Sequence, residues 1–147
     1  MKGCLAMLNN ENAHFRRAGL LILGTVSKGI TDPIKGDLNN ILNKIVEYFN
    51  DTDVVVKENA GLCITYFVEN VGLEVIKQHN IILPHLINLL KQASQNVLQN
   101  EKQSLKLGEK MLFAVDTFCE SMLPNEINEY LNPLLETIIP FLDSTNT

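Results

Sequence analysis

The three residues Ala18-Gly19-Leu20 recur as Ala60-Gly61-Leu62, 42 residues further along the chain. Each copy lies within a stretch whose apolar residues return at helical spacing. A supersecondary unit that repeats at this period is typical of a solenoid, in which pairs of helices stack one behind another. Because solenoids present long surfaces to partners, the repeat favours a binding function over a catalytic one.

The length and composition agree with a short array of this kind. The chain has 147 residues, enough for about three repeats of roughly 40–47 residues each. Hydrophobic residues make up 46% and charged residues 20%, which is typical of a folded chain and not of a disordered one. The net charge of −5 argues against direct contact with nucleic acid, which is bound by clustered Lys and Arg, and it suits a basic protein partner.

Helical periodicity divides the chain into pairs of helices that form one array. We predict an all-α fold in which about three helix pairs build an α-α superhelix over residues 1–147. Its parts are the tail of a preceding helix at 2–9, a first repeat at 12–50, a second repeat at 51–93, an extended loop at 94–101 and a third repeat at 102–143. An unrelated six-helix bundle would not explain the aligned glycines, prolines and apolar stripes.

The first repeat pairs a helix at about 12–28 with a helix that begins at Thr31-Asp32-Pro33, where Asp can cap free N–H groups and Pro suits the first turn. We expect Gly29 to adopt the left-handed conformation that ends the first of these helices. In the first helix Ala18, Leu21, Ile22 and Val26 repeat at helical spacing. In the second, an apolar stripe is expected to face inward, formed by Leu38, Ile41, Leu42, Ile45, Val46 and Phe49.

The second repeat begins with a helix at about 53–71 that ends at Gly72. Its inward residues are expected to be Val56, Ala60, Cys63, Ile64, Phe67 and Val71. The partner helix, at about 73–93, carries Pro84, so we expect a break or kink at 80–83. The third repeat has helices at about 102–122 and 125–142, and its Asn132-Pro133 matches Leu83-Pro84 of the second.

Two sets of motifs resemble known families. Asp51 followed by Val56-Lys57 and Ala60 resembles the HEAT repeat, whose acidic and basic residues form a ladder between neighbouring units of a HEAT or armadillo-like solenoid; the first unit keeps the basic residue but lacks the Asp. The order of further motifs is similar to the importin-β (karyopherin-β) family of nuclear import receptors, most of all to the branch that imports histones and ribosomal proteins. These motifs lie at 15–24, 27–29, 67–72, 82–86 and 118–120.

The resemblance implies a fragment of a nuclear transport receptor that binds cargo proteins, carries them through the nuclear pore and depends on Ran-GTP for their release. The implied partners are basic cargo such as histones and ribosomal proteins, together with the Ran GTPase and Phe-Gly nucleoporins, which would bind through the full-length receptor. The implied location is the cytoplasm, the nucleus and the pores of the nuclear envelope. The alternative is a HEAT-repeat scaffold subunit of a multiprotein complex, such as a phosphatase regulatory subunit.

The resemblance also indicates where partners would bind. The second helix of each HEAT pair lines the concave side, where carboxylates and amides can bind a basic, extended cargo segment. The candidate cargo-binding residues are Asp37, Asn40, Asn43, Glu47, Asn88, Glu126, Glu129 and Glu136. On the outer face, Leu20, Leu62 and Tyr66 are the candidate nucleoporin-binding residues, because Phe side chains of nucleoporins insert between neighbouring outer helices in this family.

The sequence shows no catalytic constellation, so we expect a protein that is not an enzyme and uses no cofactor. His14, His79 and His85 do not pair at helical spacing and Cys-x2-Cys is absent, so we predict no metal site. Cys63 could in principle form a nucleophile pair with a distant histidine, but we interpret it as a packing residue. No apolar run approaches the ~20 residues that cross a bilayer, so we expect no membrane insertion.

Overall fold

The computed structural model describes residues 2–29, 36–95 and 101–145, and within these ranges it contains α-helices and turns but no strand. Two short 3₁₀ helices, Ser27–Gly29 and Tyr48–Asn50, follow the second and third α-helices. The α-helices are α1 (Lys2–Leu8), α2 (Ala13–Val26), α3 (Leu38–Glu47), α4 (Val54–Val71), α5 (Leu73–Ile76), α6 (His79–Gln95), α7 (Glu101–Glu120) and α8 (Pro124–Thr145).

The helices pack in two rows. Helices α2, α4 and α7 lie side by side in one row, in which α4 contacts both of the others. Helices α3, α6 and α8 form a second row, in which α6 contacts both neighbours, while α1 packs against α2. After the HEAT resemblance we call the first of these the outer row and the second the inner row. This is an all-α, HEAT-like helical solenoid, and it confirms the predicted fold class. The division into repeats at the stated boundaries stays a prediction.

The apolar stripes of α3 and α4 form the centre of the core, as predicted. Every predicted inward residue of the first inner-row helix is buried, and so are all those of α4 except Val71, which is partly buried. The opposite face of α3 is polar and exposed at Asn39, Asn40, Asn43 and Glu47. A helix with one apolar side and one polar side is stable only when its apolar side faces the core. Periodicity alone therefore fixes which side of α3 is buried.

The helix predicted at about 12–28 is present as α2, but the residues that repeat at helical spacing do not form its buried side. Leu21 and Ile22 are each 40% exposed, whereas Gly19, Leu20, Leu23 and Gly24 are buried. Apolar residues occur on all sides of this helix, so the sequence does not define a single inward stripe. The side that faces inward is chosen by close packing, since Gly19 lies against α1 and Gly24 lies against α4.

The two helix-ending glycines behave differently. Gly72 has φ 72° and ends α4, with its N–H donating to the Val68 carbonyl at 3.0 Å, as the sequence predicts. Gly29 does not adopt the left-handed conformation that we expected, because it closes a 3₁₀ helix instead. The helix-start signal Thr31-Asp32-Pro33 lies outside the described residues.

The break in the second inner-row segment lies earlier than predicted. The chain bends at 77–78, between α5 and α6, and Pro84 lies inside α6. The Gln78 carbonyl accepts from the N–H groups of Ile81 and Ile82, so a new helix has begun before the proline. Pro84 therefore removes only the bond to the carbonyl of Asn80, an exposed residue near the helix start. Of the predicted loop at 94–101, Ser94, Gln95 and Glu101 are helical and 96–100 lie outside the described residues.

Candidate binding surfaces

The joint between the first two outer-row helices is fixed by two arginine–carboxylate pairs. Arg16 Nε and Nη2 donate to Asp51 Oδ2 and Oδ1 at 2.8 and 2.9 Å. Arg17 Nε donates to Asp53 Oδ1 at 3.0 Å, and its Nη2 donates to Oδ2. Although the first unit lacks its own Asp, the acidic residues before α4 supply the partners. Such two-point pairs hold both side chains in one geometry and fix the packing of α2 on α4.

These pairs shift the pKa values of the two acids. Partial burial by itself raises the pKa of Asp51, but the hydrogen bond from Arg16 and the Asp53 N–H together lower it below its ordinary value. The pKa of Asp53 is lowered mainly by Arg17, and the Val56 N–H, which Asp53 accepts as the N-cap of α4, adds to this. Both carboxylates are therefore held in the charged form that the joint requires.

The joint between α4 and α7 has the opposite charge arrangement. Here the acid belongs to the earlier helix: Glu58 of α4 is buried, and its Oε2 lies 3.4 Å from Lys110 Nζ and 3.9 Å from Lys106 Nζ of α7. No hydrogen bond reaches this oxygen within the described residues. Two cations therefore face one buried carboxylate, which the sequence motifs did not indicate.

A groove of about 590 Å³ lies between the inner-row helices α6 and α8. Three predicted cargo residues line it, namely Asn88, Glu129 and Glu136. Its other walls are the side chains of Pro84, Ile87, Lys91, Tyr130, Pro133 and Thr137. Rigid apolar rings thus lie beside exposed carboxylates, an arrangement that can hold the aliphatic stem of a lysine or arginine and the charge at its end.

The predicted residue Glu126 has a structural role beside this groove. Its Oε2 accepts the Leu123 N–H at 2.9 Å at the start of α8. Its Oε1 lies 3.9 Å from His79 Nε2, and His79 Nδ1 lies 2.8 Å from the Tyr130 hydroxyl. Burial raises the pKa of Tyr130, and Glu129 and Glu126 raise it further. These contacts connect the start of α6 to α8. The carboxylate of Glu126 is therefore occupied in capping the first turn of α8.

The remaining inner-row candidates lie apart from this groove. Asp37 and Asn40 line a smaller groove of about 230 Å³ with Leu5 and Leu23, and Asn40 donates to the Asp37 carboxylate at 2.6 Å. Glu47 is exposed and pairs with Lys44 at 2.6 Å, and Asn43 is exposed on α3. The eight predicted residues therefore occupy two grooves and the surface beside them, not one continuous site.

The structure corrects the predicted outer-face pocket. Leu20 is 0% exposed and packs in the core, so it cannot line a pocket open to a partner. Tyr66 is half-buried and lies over Gly24 at the α2–α4 joint. Leu62 lies in the next crevice, where it lines a groove of about 170 Å³ with Thr65, Glu109, Lys110 and Phe113. Phe113 is 55% exposed, and we missed it because it lies between the motifs at 82–86 and 118–120.

The sequence raised Cys63 as a possible nucleophile. Burial strongly raises the pKa of the Cys63 thiol, which suits a packing residue and not a nucleophile. Among the described residues, no three His, Cys, Asp or Glu side chains are grouped so that they could hold a metal ion. No described helix combines the length and the apolar character that a membrane span requires.

Comparison with known proteins finds a distant relative. The chain is 27% identical over 142 residues to a protein described as probable importin subunit beta-4 from Schizosaccharomyces pombe. The match covers 97% of this chain but only 12% of that relative. No family model matches the chain, and no solved structure matches it. The similarity nevertheless extends over nearly the whole chain, and it supports the resemblance to the importin-β family.

Proposed function

We propose that this chain is a segment of a nuclear transport receptor of the importin-β type and that it binds basic cargo segments in the groove between α6 and α8. The observation that carries the proposal is the similarity to an importin subunit over 97% of the chain. The HEAT-like fold agrees with it, because such a solenoid works by presenting surfaces. The named relative is a transport protein, so we do not propose the alternative of a phosphatase scaffold.

The groove chemistry supports a basic, extended partner. Glu129 and Glu136 lie seven residues apart on α8, which places them about 10 Å apart along the helix. An extended peptide covers this distance in about three residues, so two nearby lysines or arginines can each reach one carboxylate. Asn88 on the facing wall offers both a donor and an acceptor to the peptide backbone. Histone and ribosomal protein segments have the required charge.

The wider transport cycle belongs to the proposal as well. The receptor would shuttle between cytoplasm and nucleus and release its cargo on binding Ran-GTP, through parts of the receptor outside this chain. A nucleoporin contact would use the outer-row groove at Leu62, which lies between α4 and α7 and would receive a Phe side chain. A Leu62→Ser variant that stays folded should lose binding to a Phe-Gly repeat peptide, and unchanged binding would remove this contact from the proposal.

The test of cargo binding uses a fluorescein-labelled, lysine-rich peptide and fluorescence anisotropy. We expect salt-sensitive binding that weakens about tenfold in the double variant Glu129→Lys with Glu136→Lys, because two charge-assisted contacts are replaced by repulsion. The matched control is Glu69→Lys with Glu120→Lys, which changes the net charge equally at exposed positions on α4 and α7. Equal weakening in both double variants would show that only the overall charge matters and would contradict a groove site.

A further inference from the structure

We propose that the groove between α6 and α8 selects lysine over arginine, because two backbone carbonyls of α8 take part in binding. This inference rests on the proposed function, since it concerns the same groove and the same basic partner. It assigns to the groove two matching ammonium sites, each formed by the carboxylate and the main-chain carbonyl of one glutamate. The first site belongs to Glu129 and the second to Glu136. Their occupants are the unmodified side chains of two lysines in one extended segment.

Two prolines inside α8 remove the ordinary partners of these carbonyls. Pro133 and Pro140 both lie within the helix. In an α-helix the carbonyl of each residue accepts from the N–H four residues further on, and proline has no N–H. The residues four positions before the two prolines are Glu129 and Glu136. The two glutamates that carry exposed carboxylates therefore also have carbonyls that lack the i+4 helical hydrogen bond.

The lining of the groove places these acceptors beside it. Glu129, Pro133 and Glu136 all line the groove, and a helical carbonyl points toward the residue four positions later. The Glu129 carbonyl thus lies on the face of α8 that borders the groove. Thr137 also lines the groove, and its hydroxyl donates to the Pro133 carbonyl at 2.7 Å. The carbonyl between the two sites is therefore occupied, whereas those of the two glutamates lack the bond that proline removes.

The geometry of a carboxylate and a carbonyl on one residue favours an ammonium group. Lysine has three donors around one nitrogen, so it can donate to a carboxylate oxygen and to a carbonyl oxygen at the same time. The guanidinium of arginine is a planar fork that matches the two oxygens of a single carboxylate, and it gains little from a carbonyl outside that plane. The rings of Pro84 and Pro133 line the groove and suit the apolar stem of lysine.

Lys91 of α6 shares the groove with the two carboxylates. It is exposed, and its flexible side chain competes with the lysines of a partner for the same acceptors. With two carboxylates and one ammonium group, the lining still has a formal charge of −1. Lys91→Gln should therefore strengthen binding of a lysine peptide about threefold, because a competing cation and its repulsion are removed.

Fluorescence anisotropy with three labelled, alanine-based peptides tests the selectivity. The probe has two lysines separated by two residues, since side chains three positions apart share a face at about 9 Å in an extended polyproline II segment. In the second peptide arginines replace both lysines, and in the third the two lysines are adjacent. The three peptides have equal charge, so charge alone predicts equal binding. We expect the probe to bind about fivefold more tightly than either of the others.

Proline variants locate the source of this preference without changing any charge. Pro133→Ala and Pro140→Ala each restore an N–H that bonds to the glutamate carbonyl one turn earlier, so each should reduce the preference for lysine over arginine to about twofold. The matched control is Pro84→Ala, which removes a ring from the groove but restores only the bond to Asn80, near the start of α6. It should weaken the lysine and arginine peptides alike. Circular dichroism verifies that each variant is folded.

Equal binding of the probe and either other peptide would overturn the inference, and so would a lysine preference that stays unchanged in both proline variants of α8. Neither result affects the proposed function, which is tested separately by charge reversal at Glu129 and Glu136. No binding of any of the three peptides would contradict the proposed function and this inference together. Failure of the inference alone is therefore distinguishable from failure of the proposed function.

Discussion

Arg16 and Asp51, which are 35 residues apart in the chain, form a two-point ion pair in which Nε and Nη2 of the guanidinium lie 2.8 and 2.9 Å from the two carboxylate oxygens. The other guanidinium nitrogen, Nη1, donates to two backbone carbonyls of the turn after α1. One side chain thus joins α1, α2 and the segment before α4. Since solenoid units contact only their neighbours, the stability of such a joint contributes directly to the stability of the array.

The stability of the chain should depend on pH through Asp51 and Asp53. Both carboxylates have a pKa that is lower in the folded chain than in the unfolded one, so the folded state binds fewer protons at acidic pH. Their contribution is complete above the ordinary pKa of Asp, about 4, and is lost as pH falls through the lowered value. Urea unfolding followed by circular dichroism, from about pH 7 to about pH 2.5, measures this loss.

The Asp51→Asn variant distinguishes the contribution of the Arg16–Asp51 pair to stability from that of the other acidic residues. It should lose about 1–2 kcal/mol of unfolding free energy at neutral pH, because a charge-assisted hydrogen bond becomes a neutral one. The pH dependence below about pH 4 should become shallower in the variant. Glu69→Gln changes an exposed carboxylate on α4 and serves as the control. A pH profile of Asp51→Asn that is parallel to that of the unmodified chain would contradict the assignment.

Ser27 should contribute to stability out of proportion to its size. Its buried hydroxyl donates to the Gly24 carbonyl at 2.6 Å and accepts from Asn70 Nδ2 at 2.7 Å, which joins the end of the first outer helix to α4. Ser27→Ala removes both bonds and should cost about 1–2 kcal/mol. Thr25→Ala, at an exposed hydroxyl that bonds only within its own helix, should cost less. Equal effects in urea unfolding would show that the tie between the helices is unimportant.

Two glycines should respond differently to alanine. A Cβ at Gly24 would lie 2.7 Å from Tyr66 Cδ2 and 3.3 Å from the backbone Cα of Cys63, which cannot move without shifting α4. A Cβ at Gly61 would meet the terminal methyl and the sulfur of Met111, a flexible side chain that can turn away.

We therefore expect Gly24→Ala to lower the midpoint of thermal unfolding and Gly61→Ala to change it less. The higher helix propensity of alanine, about 1 kcal/mol, acts equally in both variants and does not affect their order. In the Gly61→Ala variant, the side chain of Leu62 should still be able to contact a bound peptide. The opposite order of the two midpoints would mean that α2 and α4 are not in the close contact described here.

The three cysteines should differ in reactivity toward a thiol reagent. Burial strongly raises the pKa of Cys63, and burial together with Asp116 raises the pKa of Cys119. Cys4 is partly exposed on α1. Since the thiolate is the reactive form, we expect Cys4 to be modified first and Cys63 only when the chain unfolds. Mass spectrometry of the modified chain in rising urea measures the order, and early modification of Cys63 would contradict its place in the core.

Periodicity predicted the buried side best in α3, which has one apolar side and one polar side. In α4 the predicted stripe is buried as well, but so are Glu58, Asn59 and Thr65, because α2 and α7 cover this helix on two sides. In α2 apolar residues surround the axis, and the buried side is chosen by contacts with α1 and α4 that the local sequence does not contain. Pro84 shows the same limit, because the chain bends at 77–78 and α6 already begins at His79, so the proline lies inside the helix and not at the break.

The sequence by itself determined that this chain is a helical solenoid, because the repeated motif and the apolar stripes are local properties that a helix of any orientation retains. It also indicated three residues of the α6–α8 groove, since exposed polar positions on an amphipathic helix follow from its period. Only the tertiary structure decided which charges meet. The Arg16–Asp51 pair, the two lysines that share Glu58, and the capping role of Glu126 depend on distances between helices. Such distances arise from packing across the whole core and not from any single segment.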